Sequence, residues 1–246
     1  IAPIYKSMKI SLIALKTTRY SDTQNILTAY SRELGRVSMS VPAGKGKEAS
    51  RIRALTMPLG LLECETDVKP GKEVLPMRQV RPLAALAAMR SDPLRQMVAM
   101  FIAEVLSVVL RESVPDESVF RYIESSVRCL DSAFGRMAAN FHICFLINLG
   151  RLLGIEPDVT TYAPGMVMDL RDGIWRHTLP SHPEWLPPAE AAAAADMLRM
   201  TFSNMAMFRL SREQRSRALD VVLRYYGMHI APLSHVRSLA ILRSMF

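Results

Sequence analysis

Near residue 80 the apolar residues stop alternating and take up a helical period, so the chain must build a small β unit first and a helical unit after it. Lys9-Ile10-Ser11-Leu12-Ile13-Ala14-Leu15-Lys16 begins as an alternating strand. Gln24 to Ser31 is rich in strand formers, and Val37, Met39 and Val41 share one face of Gly35 to Val41. Leu55 to Val68 reads as a bent or bulged strand, interrupted at Pro58 and Gly60. The turn Lys69-Pro70-Gly71-Lys72 leads into a last strand, Glu73 to Val80, with Pro76 at an edge. Five short strands without a long amphipathic helix predict a small closed or partly open barrel over residues 1–80.

From residue 81 to 246 the pattern is helical. Ser91-Asp92-Pro93 supplies a capping side chain and a proline at the first helical position, starting a helix that runs to about Arg111. A second helix is expected from Pro115-Asp116-Glu117 to about Ala133. A third, Arg136 to Leu153, is apolar nearly all round and ends at Gly154, as a central helix would. Residues 155–186 carry no long period but several prolines and glycines, which fits loops or a small hairpin. Ala189 to Ser203 is an alanine-rich helix. Ser211-x-x-Gln214 is a capping box opening Arg212 to Tyr226, and Ser234 starts the last helix through Met245.

Charge sharpens the same boundary. All seven lysines lie within the first 72 residues, and residues 1–80 hold seven lysines and six arginines against seven acids. The remaining 166 residues hold 18 arginines against 16 acids. A basic small domain beside a nearly neutral large one points to a polyanionic partner. Mean hydropathy is +0.12, yet Met97 to Leu110 is only 14 residues long and carries Glu104. That is short of the roughly 18 to 20 residues of a membrane helix, and it reads as a buried helix. No signal peptide opens the chain, and Met8 reads as a natural start. Cys64, Cys129 and Cys144 are odd in number and form no C-x-x-C pair, which argues for buried thiols in the cytoplasm.

Motifs for bond chemistry fail on inspection. Pro42-Ala43-Gly44-Lys45-Gly46-Lys47-Glu48 has Val41 where a phosphate loop needs glycine and Glu48 where it needs Ser or Thr, leaving a basic loop between strands. His177 and His182 have no neighbouring Cys or His to complete a tetrahedral metal site. His142 lies on the apolar third helix and reads as a core histidine. Asp169 and Asp172 flank Arg171 in a turn, unmarked as an acid/base pair. We expect no enzyme, no cofactor and no metal.

Binding chemistry is richer. Lys16, Arg19 and Tyr20 leave the first strand, Arg36 opens the third, and Lys45, Lys47, Arg51 and Arg53 follow it. On a small barrel these eight would form a groove where cations meet phosphates and Tyr20 stacks on a base. A second set, Arg209, Arg212 and Arg215, opens a helix, where cations oppose the macrodipole unless an anion joins them; a solvated face is the alternative.

The run Leu15-Lys16-Thr17-Thr18-Arg19-Tyr20-Ser21-Asp22-Thr23-Gln24-Asn25-Ile26-Leu27-Thr28-Ala29-Tyr30-Ser31-Arg32-Glu33-Leu34-Gly35-Arg36 resembles the first two strands of the bacterial RecO recombination mediators. Gly44-Lys45-Gly46-Lys47 fits the same family, as do Phe141 to Gly154, with its closing Leu152-Leu153-Gly154, and Ser234 to Phe246. The resemblance spans the chain from Met8. It implies an α+β protein: a five-stranded OB-fold at 1–80, then a helical domain at 81–246 with an irregular 155–186 insertion. It further implies binding of single- and double-stranded DNA, annealing of complementary strands, and loading of RecA. The implied partners are RecR and the acidic, phenylalanine-ended tail of single-strand-binding protein, with no membrane and no catalytic centre. Many relatives carry a four-cysteine zinc finger after the third helix, whereas residues 156–185 here contain no cysteine. The segment then keeps a metal-free hairpin around Met166-Val167-Met168-Asp169-Leu170 or is remodelled. A protein-only adaptor with little DNA affinity is the competing function.

Overall fold

The computed structural model describes residues 6–112, 114–233 and 236–245. The chain forms two compact units: one runs to Ser132 and includes Val236–Leu242, the other runs from Ala133 and includes the residues from Arg243.

The first unit contains six strands: β1 (Lys6–Arg19), β2 (Gln24–Ser31), β3 (Gly35–Pro42), β4 (Leu61–Val68), β5 (Val74–Pro76) and β6 (Arg78–Pro82). They form one curled sheet in the order β5-β3-β2-β1-β4-β6. The fourteen-residue β1 serves two neighbours. Its first part, to Ile13, pairs with β4, and from Leu12 onward it pairs with β2. The register slips between Ala14 and Lys16, and such a bulge raises local twist and bends the strand. Gly60 meets β1 at this bend: its carbonyl accepts from the Ala14 N–H, while the Leu59 N–H donates to the Ala14 carbonyl. At the far edge β5 runs parallel to β3. The Thr66 hydroxyl of β4 donates to the Pro76 carbonyl of β5 at 2.8 Å, tying edge strand β5 to the next-to-last strand at the other side of the sheet.

The concave face carries Ile10, Leu12, Ala14, Leu27, Met39 and Leu62, all fully buried. Helix α1 (Lys47–Leu55) closes this core with Ile52 and Leu55. Two sequence expectations change here. Residues 47–55 are helical where we expected the end of a basic loop and the start of a strand. The expected last strand, Glu73 to Val80, is two strands, so the sheet has six and not five. The two part at Met77, because β5 pairs with β3 whereas β6 pairs with β4.

Helices α2 (Ala87–Ser91), α3 (Pro93–Val109) and α4 (Glu117–Ser132) complete the unit. The Asp92 carboxylate accepts from the Leu94 N–H and Pro93 takes the first helical position, as the sequence indicated. Tyr30, fully buried, anchors the sheet to α4: its hydroxyl accepts from the Asp116 N–H and its ring stacks on Phe120. Arg32 lies over the same ring at 4.6 Å and pairs with Glu124.

In the second unit α5 (Arg136–Leu152) buries eleven residues and is central, as expected. Gly154, at φ 75°, ends it in a Schellman motif: the Ile155 N–H reaches the Gly150 carbonyl and the Gly154 N–H reaches that of Arg151. Residues 155–186 hold a three-stranded sheet, β8 (Ile174–Arg176), β7 (Val167–Asp169) and β9 (Trp185–Leu186), so a hairpin is present around Met168. Helix α6 (Pro188–Met197) ends six residues before the expected Ser203. Helix α7 (Arg212–His229) begins with the predicted capping box, both of its hydrogen bonds formed. Helix α8 (Ser238–Met245) is the last; Ser234, its expected start, lies outside the described residues. No helix among the described residues is long and apolar enough to cross a membrane.

Candidate nucleic-acid interface

Beyond Leu15 the arms of β1 and β2 leave the core, and every residue from Lys16 to Gln24 is exposed. The turn between them is tied locally: the Ser21 N–H donates to the Gln24 carbonyl at 2.8 Å, and the Ser21 hydroxyl accepts from the Gln24 N–H. Tyr20 stands at this tip with 71% of its surface exposed. Strand β3 ends beside the same turn, because Pro42 pairs with Gln24 and the Ala43 N–H donates to the Thr23 carbonyl at 3.0 Å. The loop Gly44-Lys45-Gly46 and the first turn of α1 follow at once. Lys16, Arg19, Tyr20, Lys45 and Lys47 are thereby gathered at one end of the sheet.

The other predicted residues have different situations. Arg36 sits at the opposite end of β3, paired with Tyr30, and donates to the Ser107 carbonyl of α3 at 2.7 Å. Burial, and secondarily Arg111, lower its pKa, so it anchors the sheet to a helix. Arg51 grips the Glu48 carboxylate through two nitrogens, at 2.7 and 2.8 Å, and donates to the Val80 carbonyl. That hydrogen bonding holds the Glu48 carboxyl below its usual range and raises the guanidinium. Arg53 reaches back along α1 to the Gly44 carbonyl, at 2.9 Å. Arg19 pairs with Asp22 in full solvent, where such a contact contributes little. Lys16, Lys45 and Lys47 form no ion pair with any described residue, so their charge is available to a ligand.

On the neighbouring strand β4 the acids are matched: Glu63 pairs with Lys9, Glu65 accepts from Gln79, and Asp67 pairs with Arg78. In the second unit Arg212 donates to the Arg243 carbonyl at 3.0 Å and Arg215 to that of Leu210 at 2.6 Å. Burial lowers the Arg215 pKa. Of that set Arg209 and Arg212 are exposed, and Arg209 makes no ion pair with any described residue. A groove of about 730 Å³ runs between α6 and α7, with Met197, Leu210 and Val221 in its lining and Arg217 and Arg224 at its rim. No motif or periodicity in the chain signals it.

The histidines divide as their surroundings dictate. His142 is buried, whereas the His182 ring lies between Asp169 and Glu184, 3.4 Å from each. Among the described residues no three His, Cys, Asp or Glu side chains are grouped to hold a metal ion. The helix α1 is what sequence reading missed at the interface. Its signal was Ala49, Ile52 and Leu55 at three-residue spacing, ended by Pro58 and Gly60.

Comparison with known proteins agrees along the whole chain. The family model described as "Recombination protein O N terminal" matches residues 7–86, and "Recombination protein O C terminal" matches 90–239. The chain is 32% identical over 234 residues to the DNA repair protein RecO of Phocaeicola vulgatus, covering 95% of this chain and 97% of that one. It is 30% identical over 235 residues to the protein of that name from Bacteroides fragilis, with the same coverage. The counterpart from Porphyromonas gingivalis is 32% identical over 239 residues, covering 95% and 97%. Two family models that meet between residues 86 and 90, and relatives matched almost end to end, place this chain in the RecO family of recombination proteins.

Proposed function

We propose that this chain is a cytoplasmic DNA-repair mediator that works by binding, without bond chemistry, cofactor or metal. In this reading the curled sheet is an OB-fold, and its basic end holds single- and double-stranded DNA. The observation that carries it is the gathering of Lys16, Lys45 and Lys47, free of acidic partners among the described residues, beside the exposed ring of Tyr20. Cations of this kind displace counterions from phosphates, and an exposed aromatic ring offers a face to an unpaired base. Neutralising phosphates on two strands at once lowers their repulsion, which favours annealing. The helical unit takes the acidic tail of single-strand-binding protein, with Arg209 and Arg212 the exposed cations of the Arg209, Arg212 and Arg215 set, and the protein joins RecR to load RecA on coated DNA.

Fluorescence anisotropy of a labelled single-stranded oligonucleotide, titrated at several salt concentrations, tests this reading. Each lost phosphate contact makes the log–log salt slope shallower by about 0.7. Replacing Lys16, Arg19, Lys45 and Lys47 together by alanine is expected to flatten it by about 2 to 3. Tyr20→Ala should weaken binding without changing that slope, by about 1–3 kcal/mol for one stacked base. Absence of binding at low salt would leave the chain a protein-only adaptor.

A further inference from the structure

Two arginines of α1 act differently. Arg51 occupies Glu48, the acid nearest the loop lysines, and fastens the helix to β6 through the Val80 carbonyl. Glu48 is thus kept from pairing with Lys45 or Lys47. Arg53 lies in the last turn of α1, where a cation favours the helix dipole. Its side chain nevertheless runs toward the N-terminus, the direction in which helical side chains lean, and its guanidinium donates to the Gly44 carbonyl. That bond spans nine residues and closes the loop from both sides, since Ala43 is already held by the Thr23 carbonyl.

Neither glycine supplies rigidity. A Cβ at Gly44 or at Gly46 would meet nothing within 4 Å, and neither adopts a positive φ. Gly46 begins α1 with no side-chain cap. The Gly46 carbonyl accepts the first helical bond, from the Ser50 N–H, so the Arg53 bond and the Ala43 bond are what hold the part of the loop before Gly46 from outside it, among the described residues.

We propose that Arg53 is a positioning residue: it holds the Gly44 carbonyl so that Lys45 and Lys47 face the phosphate path, and it does not itself contact DNA. This rests on the DNA-binding reading above and adds to it. Holding the loop reduces the ordering that the two lysines would otherwise undergo on binding.

A double-mutant cycle separates positioning from contact. Single-stranded DNA affinity is measured by anisotropy for the parent, Arg53→Gln, Lys45→Ala/Lys47→Ala, and the triple variant. A positioning role predicts that Arg53→Gln weakens binding about fivefold or more in the parent and less than about twofold where both lysines are gone. Equal weakening in both backgrounds marks Arg53 as an independent phosphate contact and overturns the proposal, as does an unchanged affinity of Arg53→Gln in the parent. If Lys45→Ala/Lys47→Ala binds as tightly as the parent, the interface reading fails first. Amide hydrogen exchange without DNA distinguishes that case: Arg53→Gln should speed exchange within residues 43–47 and leave β1 to β4 protected. Unchanged exchange there would sink the positioning role whatever DNA does.

Discussion

The buried imidazole of His142 makes the second unit acid-sensitive by a calculable amount. Burial within α5, with repulsion from Arg215 second, pushes its pKa down to about 3. In the unfolded chain the ring takes its proton near pH 6.5. Between those values the unfolded state binds one proton more than the folded state, so stability is present above about pH 6.5 and drains as pH falls. The slope is about 1.4 kcal/mol per pH unit, and going from pH 7 to pH 5 removes about 2 kcal/mol. Both tryptophans, Trp175 and Trp185, lie in the second unit, so urea unfolding followed by their fluorescence reports this unit. Other groups titrate in the same range, so the informative quantity is the stability of the parent minus that of His142→Gln. That difference should move by about 2 kcal/mol in favour of the variant on going from pH 7 to pH 5. A gap that is the same at both pH values would refute the assignment of a neutral, desolvated ring.

Other perturbations follow from the same contacts. Gly60→Ala would place a Cβ 2.1 Å from the Leu55 carbonyl oxygen, a clash with backbone, and should destabilise the first unit by about 1–3 kcal/mol in thermal or urea unfolding. Asp169, 1% exposed, accepts from the Arg171 and Asp172 N–H groups and pairs with Arg176. Asp169→Ala leaves those two N–H groups without their acceptor while Arg176 keeps Asp172, and should cost about 1–3 kcal/mol, read by tryptophan fluorescence. Ser211→Ala removes one half of the capping box on α7 and should cost about 1 kcal/mol, read from urea midpoints.

How much of this was legible in the sequence depends on whether a feature is local. Strand formers placed β2 and alternation placed β3 to within a residue, and Asp92-Pro93 and Ser211-x-x-Gln214 marked two helix starts, because strand faces and caps are made by near neighbours. The split between β5 and β6 depends on each finding a different partner strand, β3 and β4, and α1 buries only Ala49, Ile52 and Leu55, too thin a stripe to outweigh the glycines before it. The interface divides along a chemical line. Of the eight residues expected to bind DNA, the four arginines each hold a protein acceptor: Asp22, the Ser107 carbonyl, Glu48 with the Val80 carbonyl, and the Gly44 carbonyl. The three lysines hold none among the described residues. A guanidinium is a rigid fork of five donors that suits carbonyls and carboxylates at short range, whereas an ammonium is a strongly hydrated point charge that stays in water until an anion arrives. An acceptor such as Ser107 for Arg36 lies 71 residues away and is invisible locally, whereas Asp22 for Arg19 and Glu48 for Arg51 are three residues away. The confinement of all seven lysines to the first 72 residues was therefore the more informative charge signal, and arginine counts overstated the free cation at the candidate site.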